Sequence, residues 1–201
     1  MSKGRLEAFS DGVIAILITI MVLDLHPPTG VDLAALGPVV PVFFVYALSF
    51  VNLAIYWNNH HHLLQAATVV DGRVLWANMS LLFWLSLFPF GTAWMGENVP
   101  APGPVAAYGV ILLSAALAYY VLVRALVAAT GQSADLALAI GDDRKGKISP
   151  VLYGLGIALA WIAPWLSVGL YVAVAVIWFV PDRRIERVLA PVTEEPASPA
   201  D

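Results

Sequence analysis

Arg5-Leu-Glu-Ala-Phe-Ser-Asp-Gly-Val-Ile14 opens a hydrophobic run that continues to Leu25. The stretch sets an arginine, a serine and an aspartate at the mouth of an apolar helix. Such groups are costly in a bilayer and persist there mainly when they are paired or functional. The run from Phe9 stops at His26-Pro27-Pro28, because paired prolines cannot continue a helix. It therefore reads as a membrane helix whose polar start needs partners elsewhere in the chain.

Composition places the whole chain in the same class. Of its 201 residues 60% are hydrophobic and 12% charged, and the mean hydropathy is +0.82. Soluble domains are nearer half apolar and a quarter charged, so the excess is a membrane signature. There is no cysteine, which excludes disulfides, thiolate metal sites and cysteine nucleophiles. Acidic residues interrupt the N-terminal segment and no small-residue cleavage site follows a basic start, so no cleavable signal peptide is expected.

Working outward, the pattern predicts an all-α integral membrane protein with six transmembrane helices, at about 8–25, 36–66, 74–95, 105–129, 148–163 and 165–180. Each long run is close to the ~20 residues that cross the hydrocarbon core. Pro89 is the expected kink of the third helix. The region from Ile148 to Val180 is too long for one ordinary span and short for two. Pro164 near its middle, between Trp161 and Trp165, favours two short helices; a single kinked helix is the competing reading. With six spans all ten basic residues fall on one side: Lys3, Arg5, Arg73, Arg124, Arg144, Lys145, Lys147, Arg183, Arg184 and Arg187. The opposite loops carry Asp24, Asp32 and Glu97 and no base. The positive-inside rule then makes both termini cytoplasmic and the protein a multi-pass plasma-membrane protein. The six-helix transmembrane domain would be 1–187, with a disordered tail over 188–201 rich in Pro, Ala and Glu. The stretch Thr130–Lys147 reads as a solvated cytoplasmic linker.

Three groups of residues stand out. Gly12, Ile16, Thr19 and Leu23 recur at steps of four, three and four and share one helix face, with Ile20 at its border. Any apolar helix shows such a stripe, and Thr19 can simply bond back to the carbonyl of Ala15 or Ile16. Trp57-Asn-Asn-His-His-His62 invites a metal, but neighbouring helical residues point about 100° apart, and ligands on one helix need spacings of three or four. The expected metal is none. One of these histidines is expected to bond Ser10 or Asp11. Asn78 is a buried amide able to join them, and Pro89-Phe90-Gly91-Thr92 shapes the far end of its helix. No nucleophile elbow, phosphate-cradling loop or paired intramembrane carboxylates occur, so the chain reads as no enzyme, without cofactor or nucleic-acid partner.

Arg5-x-x-x-Phe9-Ser10-Asp11-Gly12, followed by Ile14-Ala-Ile-x-Ile-Thr19 and Leu23-Asp24, resembles the signature of the transmembrane-protein-175 potassium channels. The resemblance continues through Trp57-x-x-His60-His61, Asn78, Pro89-Phe90-x-Thr92 and Pro181-Asp-Arg-Arg-Ile-Glu-Arg187. It implies one six-helix repeat assembled as a homotetramer in the lipid bilayer, passing potassium ions by passive leak. It also implies a pore lined by the first helix, without the Thr-Val-Gly-Tyr-Gly filter of ordinary potassium channels, a sequence this chain does not contain. By position the hydrophobic constriction falls on Ile16, with Thr19 and Leu23 on the same face and weak potassium-over-sodium selection aided by Thr19. Arg5, Phe9, Ser10, Asp11, Trp57, His60 or His61, and Asn78 would serve helix packing. A third histidine after the usual pair, and Leu63-Leu64-Gln65 in place of an aromatic-containing sequence, depart from the family pattern. A secondary transporter of a small cation or solute is the alternative. It calls for inverted repeats and broken helices, and no repeat is seen.

Overall fold

The computed structural model describes residues 2–130 and 144–179, and among them every regular element is helical. Helix α1 spans Lys3–Ile20 and tightens into a 3₁₀ turn at Met21–Asp24. A second 3₁₀ turn, Leu33–Leu36, leads into α2, Val39–Ala66. Then follow α3 (Gly72–Ser86), α4 (Phe88–Asn98), α5 (Pro102–Thr130), α6 (Arg144–Leu159) and α7 (Pro164–Phe179). Four helical stretches are long and apolar enough to cross a membrane: Lys3–Asp24, Val39–Ala66, Gly72–Asn98 and Pro102–Thr130. α7 is a shorter apolar helix.

Local chemistry sets the boundaries. The Asp71 carboxylate accepts a hydrogen bond from the Val74 amide at 2.9 Å and caps α3. The expected kink of the third span lies between α3 and α4, at Leu87. Pro89, in the first turn of α4, has no N–H for the carbonyl of Leu85 and is tolerated best in a helix's first turn. α5 and α7 likewise begin at prolines. In the last apolar region the chain leaves the helix at Leu159 and re-enters at Pro164, some residues before the expected break. Pro164 biases the preceding residue away from helical dihedrals. The first helix starts at Lys3 rather than near residue 8, because hydropathy sees the greasy part of a helix and not its charged first turns. The tail, the closing Pro181–Arg187 motif and most of the Thr130–Lys147 linker lie outside the described residues.

α5 is the centre of the bundle, packed by α3, α4, α6 and α7. α2 packs on α4 and α7, and α1 lies against α2 and α3. Lipid is as apolar as leucine, so burial supplies little drive between membrane helices; close packing and interhelical hydrogen bonds must hold them. Both are present. The Tyr171 ring sits between Gly109 of α5 and Gly156 of α6, where a Cβ on Gly156 would stand 2.5 Å from it. The Tyr171 hydroxyl donates to the carbonyl of Val105 at 3.2 Å. Aromatic edges continue the seam, with ring centroids 6.0 Å apart for Tyr108 and Tyr171 and 6.2 Å for Phe88 and Tyr108.

Candidate functional site

The two faces of α1 are chemically distinct. Leu6, Ser10, Ile14 and Leu17, with Met21 at the start of the 3₁₀ turn, are buried on the side of α1 that packs on α2 and α3. The opposite face is bare within the single chain: Ile16 is 62% exposed and Leu23 71%, and Gly12, Thr19 and Ile20 are exposed with them. The stripe read from spacing is thus the face that the fold leaves open. The Thr19 hydroxyl lies 3.0 Å from the carbonyls of both Ala15 and Ile16. Its proton is committed to the backbone, and the oxygen lone pairs remain to accept.

The buried face carries a polar relay. The Ser10 hydroxyl donates to the Leu6 carbonyl at 2.9 Å and accepts from the Asn78 amide at 2.9 Å. Asn78 Oδ1 lies 2.7 Å from His60 Nε2, so with this amide orientation Nε2 carries the proton and donates. Trp57 Nε1 donates to Asp11 Oδ1 at 3.0 Å, and the His61 ring stacks on Trp57 at 6.0 Å between centroids. Ser10, Asp11, Trp57, His60, His61 and Asn78 therefore meet where α1, α2 and α3 meet. Ser10, His60 and Asn78 are fully buried. His62 is half-buried and tilts against His61.

Three expectations need correction. No histidine bonds Ser10 or Asp11: Asn78 stands between Ser10 and His60, and Asp11 takes the indole. Phe9 is 49% exposed rather than part of the relay. Arg5 is exposed too, and among the described residues its guanidinium makes no hydrogen bond or ion pair. The reason is periodic: Phe9 precedes Ile16 by seven residues and Arg5 by eleven, which are whole numbers of turns, so both fall on the open face.

A second buried cluster is not marked by any motif spacing in the sequence. Thr92 Oγ1 donates to Ser49 Oγ at 2.7 Å, and Ser49 Oγ lies 2.8 Å from the Tyr108 hydroxyl, joining α4, α2 and α5. Thr92 also lies 3.7 Å from the Met21 sulfur at the end of α1. The available signal was the presence of Ser49 and Tyr108 inside apolar runs, since polar groups there need partners. Spacing says which residues need partners, not which pair. At the same end of the bundle a groove of about 450 Å³ is lined by Asp24, His26, Glu97 and the prolines at 27, 28 and 38. Among the described residues no three His, Asp or Glu side chains are grouped to hold a metal ion.

The chain is similar to known proteins over most of its length. Residues 5–89 match the family described as "Endosomal/lysosomal potassium channel TMEM175". The chain is 50% identical over 189 residues to a potassium channel of Chryseobacterium sp. (strain P1-3), covering 94% of this chain and 98% of the relative. It is 32% identical over 185 residues to a potassium channel of Chamaesiphon minutus, covering 86% and 91%. A crystal structure of a lysosomal potassium-selective channel TMEM175 homolog from Chamaesiphon minutus superposes with a TM-score of 0.76 at 28% identity, covering 94% of this chain and 98% of that one.

Proposed function

The chain belongs to the TMEM175 family of potassium channels, and from that premise we propose that it is a passive, potassium-permeable cation channel. It assembles as a homotetramer around the open face of α1. It crosses the plasma membrane six times, the α3–α4 pair counting as one crossing, with both termini cytoplasmic. The observation that carries the reading is the division of α1: its inner side is buried in the subunit, and its other side, continued by Leu23 in the 3₁₀ turn, leaves Ile16, Thr19 and Ile20 exposed among the described residues.

A ring of Ile16 side chains, one from each subunit, makes an apolar constriction. Such a ring gates by dewetting and needs no charged plug. A cation passing it sheds water, which costs less for potassium than for the smaller, more tightly hydrated sodium. Thr19 supports that exchange, because its hydroxyl proton is held by the backbone and its oxygen is left to a passing ion. Leu23 continues the apolar lining outward, and Gly12 leaves room inward. Asp24 and Glu97 line the outer groove and draw cations to the entrance. Ser10, Asp11, Trp57, His60 and Asn78 fix α1 to its neighbours and take no part in permeation.

The test is purified protein in liposomes, with potassium and sodium flux measured alongside the mass of the assembly. A tetramer with potassium flux exceeding sodium flux is expected. Absence of flux from a correctly assembled tetramer would reject the channel, and saturable, coupled uptake would replace it with a transporter.

A further inference from the structure

Behind α1, and apart from its open face, the bundle holds a cavity of about 50 Å³ between α2, α5, α6 and α7. Its walls are Tyr56, Tyr119, Tyr120, Tyr153 and Trp178, with aliphatic surface from Ile55, Ala116 and Val123. Asn52, Asn59 and Ser149 supply the polar surface. None of these residues belongs to the relay on α1, and no permeation step uses them.

The hydrogen bonds around the cavity are uneven. Asn52 and Asn59 each give their amide N–H to the carbonyl one turn earlier, Leu48 and Ile55, both at 2.9 Å. Their Oδ1 atoms accept nothing among the described residues. The Ser149 hydroxyl donates to the Lys145 carbonyl and accepts from Trp178 Nε1, each at 2.8 Å. The hydroxyls of Tyr56 and Tyr153 make no hydrogen bond among the described residues. Asn52 is 4% exposed and Tyr153 3%, so these two side chains are buried, while Tyr56 and Asn59 are half-buried; polar groups facing a cavity in this position favour a partner there. The cavity thus offers acceptors and two tyrosine hydroxyls, backed by aromatic faces.

Charge and size narrow the occupant. No charged side chain lines the cavity among the described residues, and an unpaired ion taken into such a site would lose its hydration without compensation. The volume corresponds to roughly three waters at about 15 Å³ each by the same measure. A single neutral molecule of three or four heavy atoms fills the same space. Its hydroxyl would meet Asn52, Asn59, Tyr56 or Tyr153, and its short carbon body would meet the rings. Replacing loosely held water by an apolar group against aromatic walls gains affinity.

We propose that this cavity is a binding site for a small neutral alcohol of about two carbons, separate from the pore. Bound there, the ligand bridges α2 to the α6–α7 hairpin. The proposal stands on the cavity and does not depend on the channel reading.

The test is crystallographic, on the full-length protein grown or soaked with 2-bromoethanol, whose bromine is located by anomalous scattering; the chain has no cysteine for it to alkylate. A bromine peak among Tyr56, Asn52 and Tyr153 is expected. The peak should vanish in Ala116→Phe, which fills the cavity, and fall at least several-fold in Tyr153→Phe, which removes one hydroxyl. Val123→Phe serves in place of Ala116→Phe if that variant does not fold. Bromine confined to the pore or the lipid-facing surface, or water alone in the cavity, overturns the proposal. So does a peak that survives the filled variant.

Discussion

In the proposed ring, Ile16→Asn replaces an apolar surface that excludes water with one that holds it. Resting potassium leak in vesicles should rise severalfold, and an unchanged flux would remove Ile16 from the constriction. Thr19→Ala deletes an oxygen whose own proton is already given to the Ala15 and Ile16 carbonyls. If that oxygen contributes about 1 kcal/mol of preference, the potassium-to-sodium permeability ratio drops about fivefold. The reversal potential under bi-ionic conditions measures it directly, and no shift would clear Thr19 of the role. Asn78→Leu strands Ser10 and His60 at once in a buried site. It should cost the purified protein about 1–2 kcal/mol of stability while leaving selectivity alone. Thermal unfolding read beside the permeability ratio separates the two effects. At this scale the sequence named Ser10, Asp11, Trp57, His60 and Asn78 as residues needing partners. It could not pair them, because spacing fixes the face of a helix and not the reach of a side chain across to the next. Phe9 and Arg5 are legible as stripe residues by their seven- and eleven-residue offsets from Ile16, although the family motif groups them with the relay.

Helix by helix, apolar length located the four long apolar stretches, and prolines located most of their ends. What hydropathy could not see was the charged first turn of α1, which is helical but wet, and the break at Leu87, where a missing N–H divides one span into α3 and α4. The seat of Tyr171 was also invisible, because Gly109 and Gly156 are far apart in sequence and nothing local marks them as partners. Gly156→Val places carbon against the Tyr171 ring, and overpacking of that kind typically costs about 1–3 kcal/mol. The expected result is a lower unfolding temperature for the whole bundle, and Tyr171→Phe should not restore it, because the atoms met at Gly156 are ring carbons that phenylalanine keeps. An unaltered unfolding temperature in Gly156→Val would show that α6 shifts freely and that the seat holds nothing.

For the molecule as a whole, the end of the bundle at the 3₁₀ turn after α1 carries Asp24 and Glu97 around an open groove, and acids so placed are expected to act by field rather than by contact. Asp24→Asn with Glu97→Gln should lower cation flux at low ionic strength and have little effect near 1 M salt, where the screening length is about 3 Å. A reduction that persists at high salt would point to direct coordination instead. The division of α1 bears on how such a protein changes over generations. Within one subunit, the side chains that hold the helix in place and those proposed to meet ions occupy opposite faces and share no hydrogen bond. Ile16 and Leu23 are largely exposed in the subunit, so substitutions there are expected to spare its fold, and permeation as proposed can drift under selection while the scaffold stays fixed. The same separation lets a designer treat the open face as a cassette, rewritten position by position on an unchanged frame.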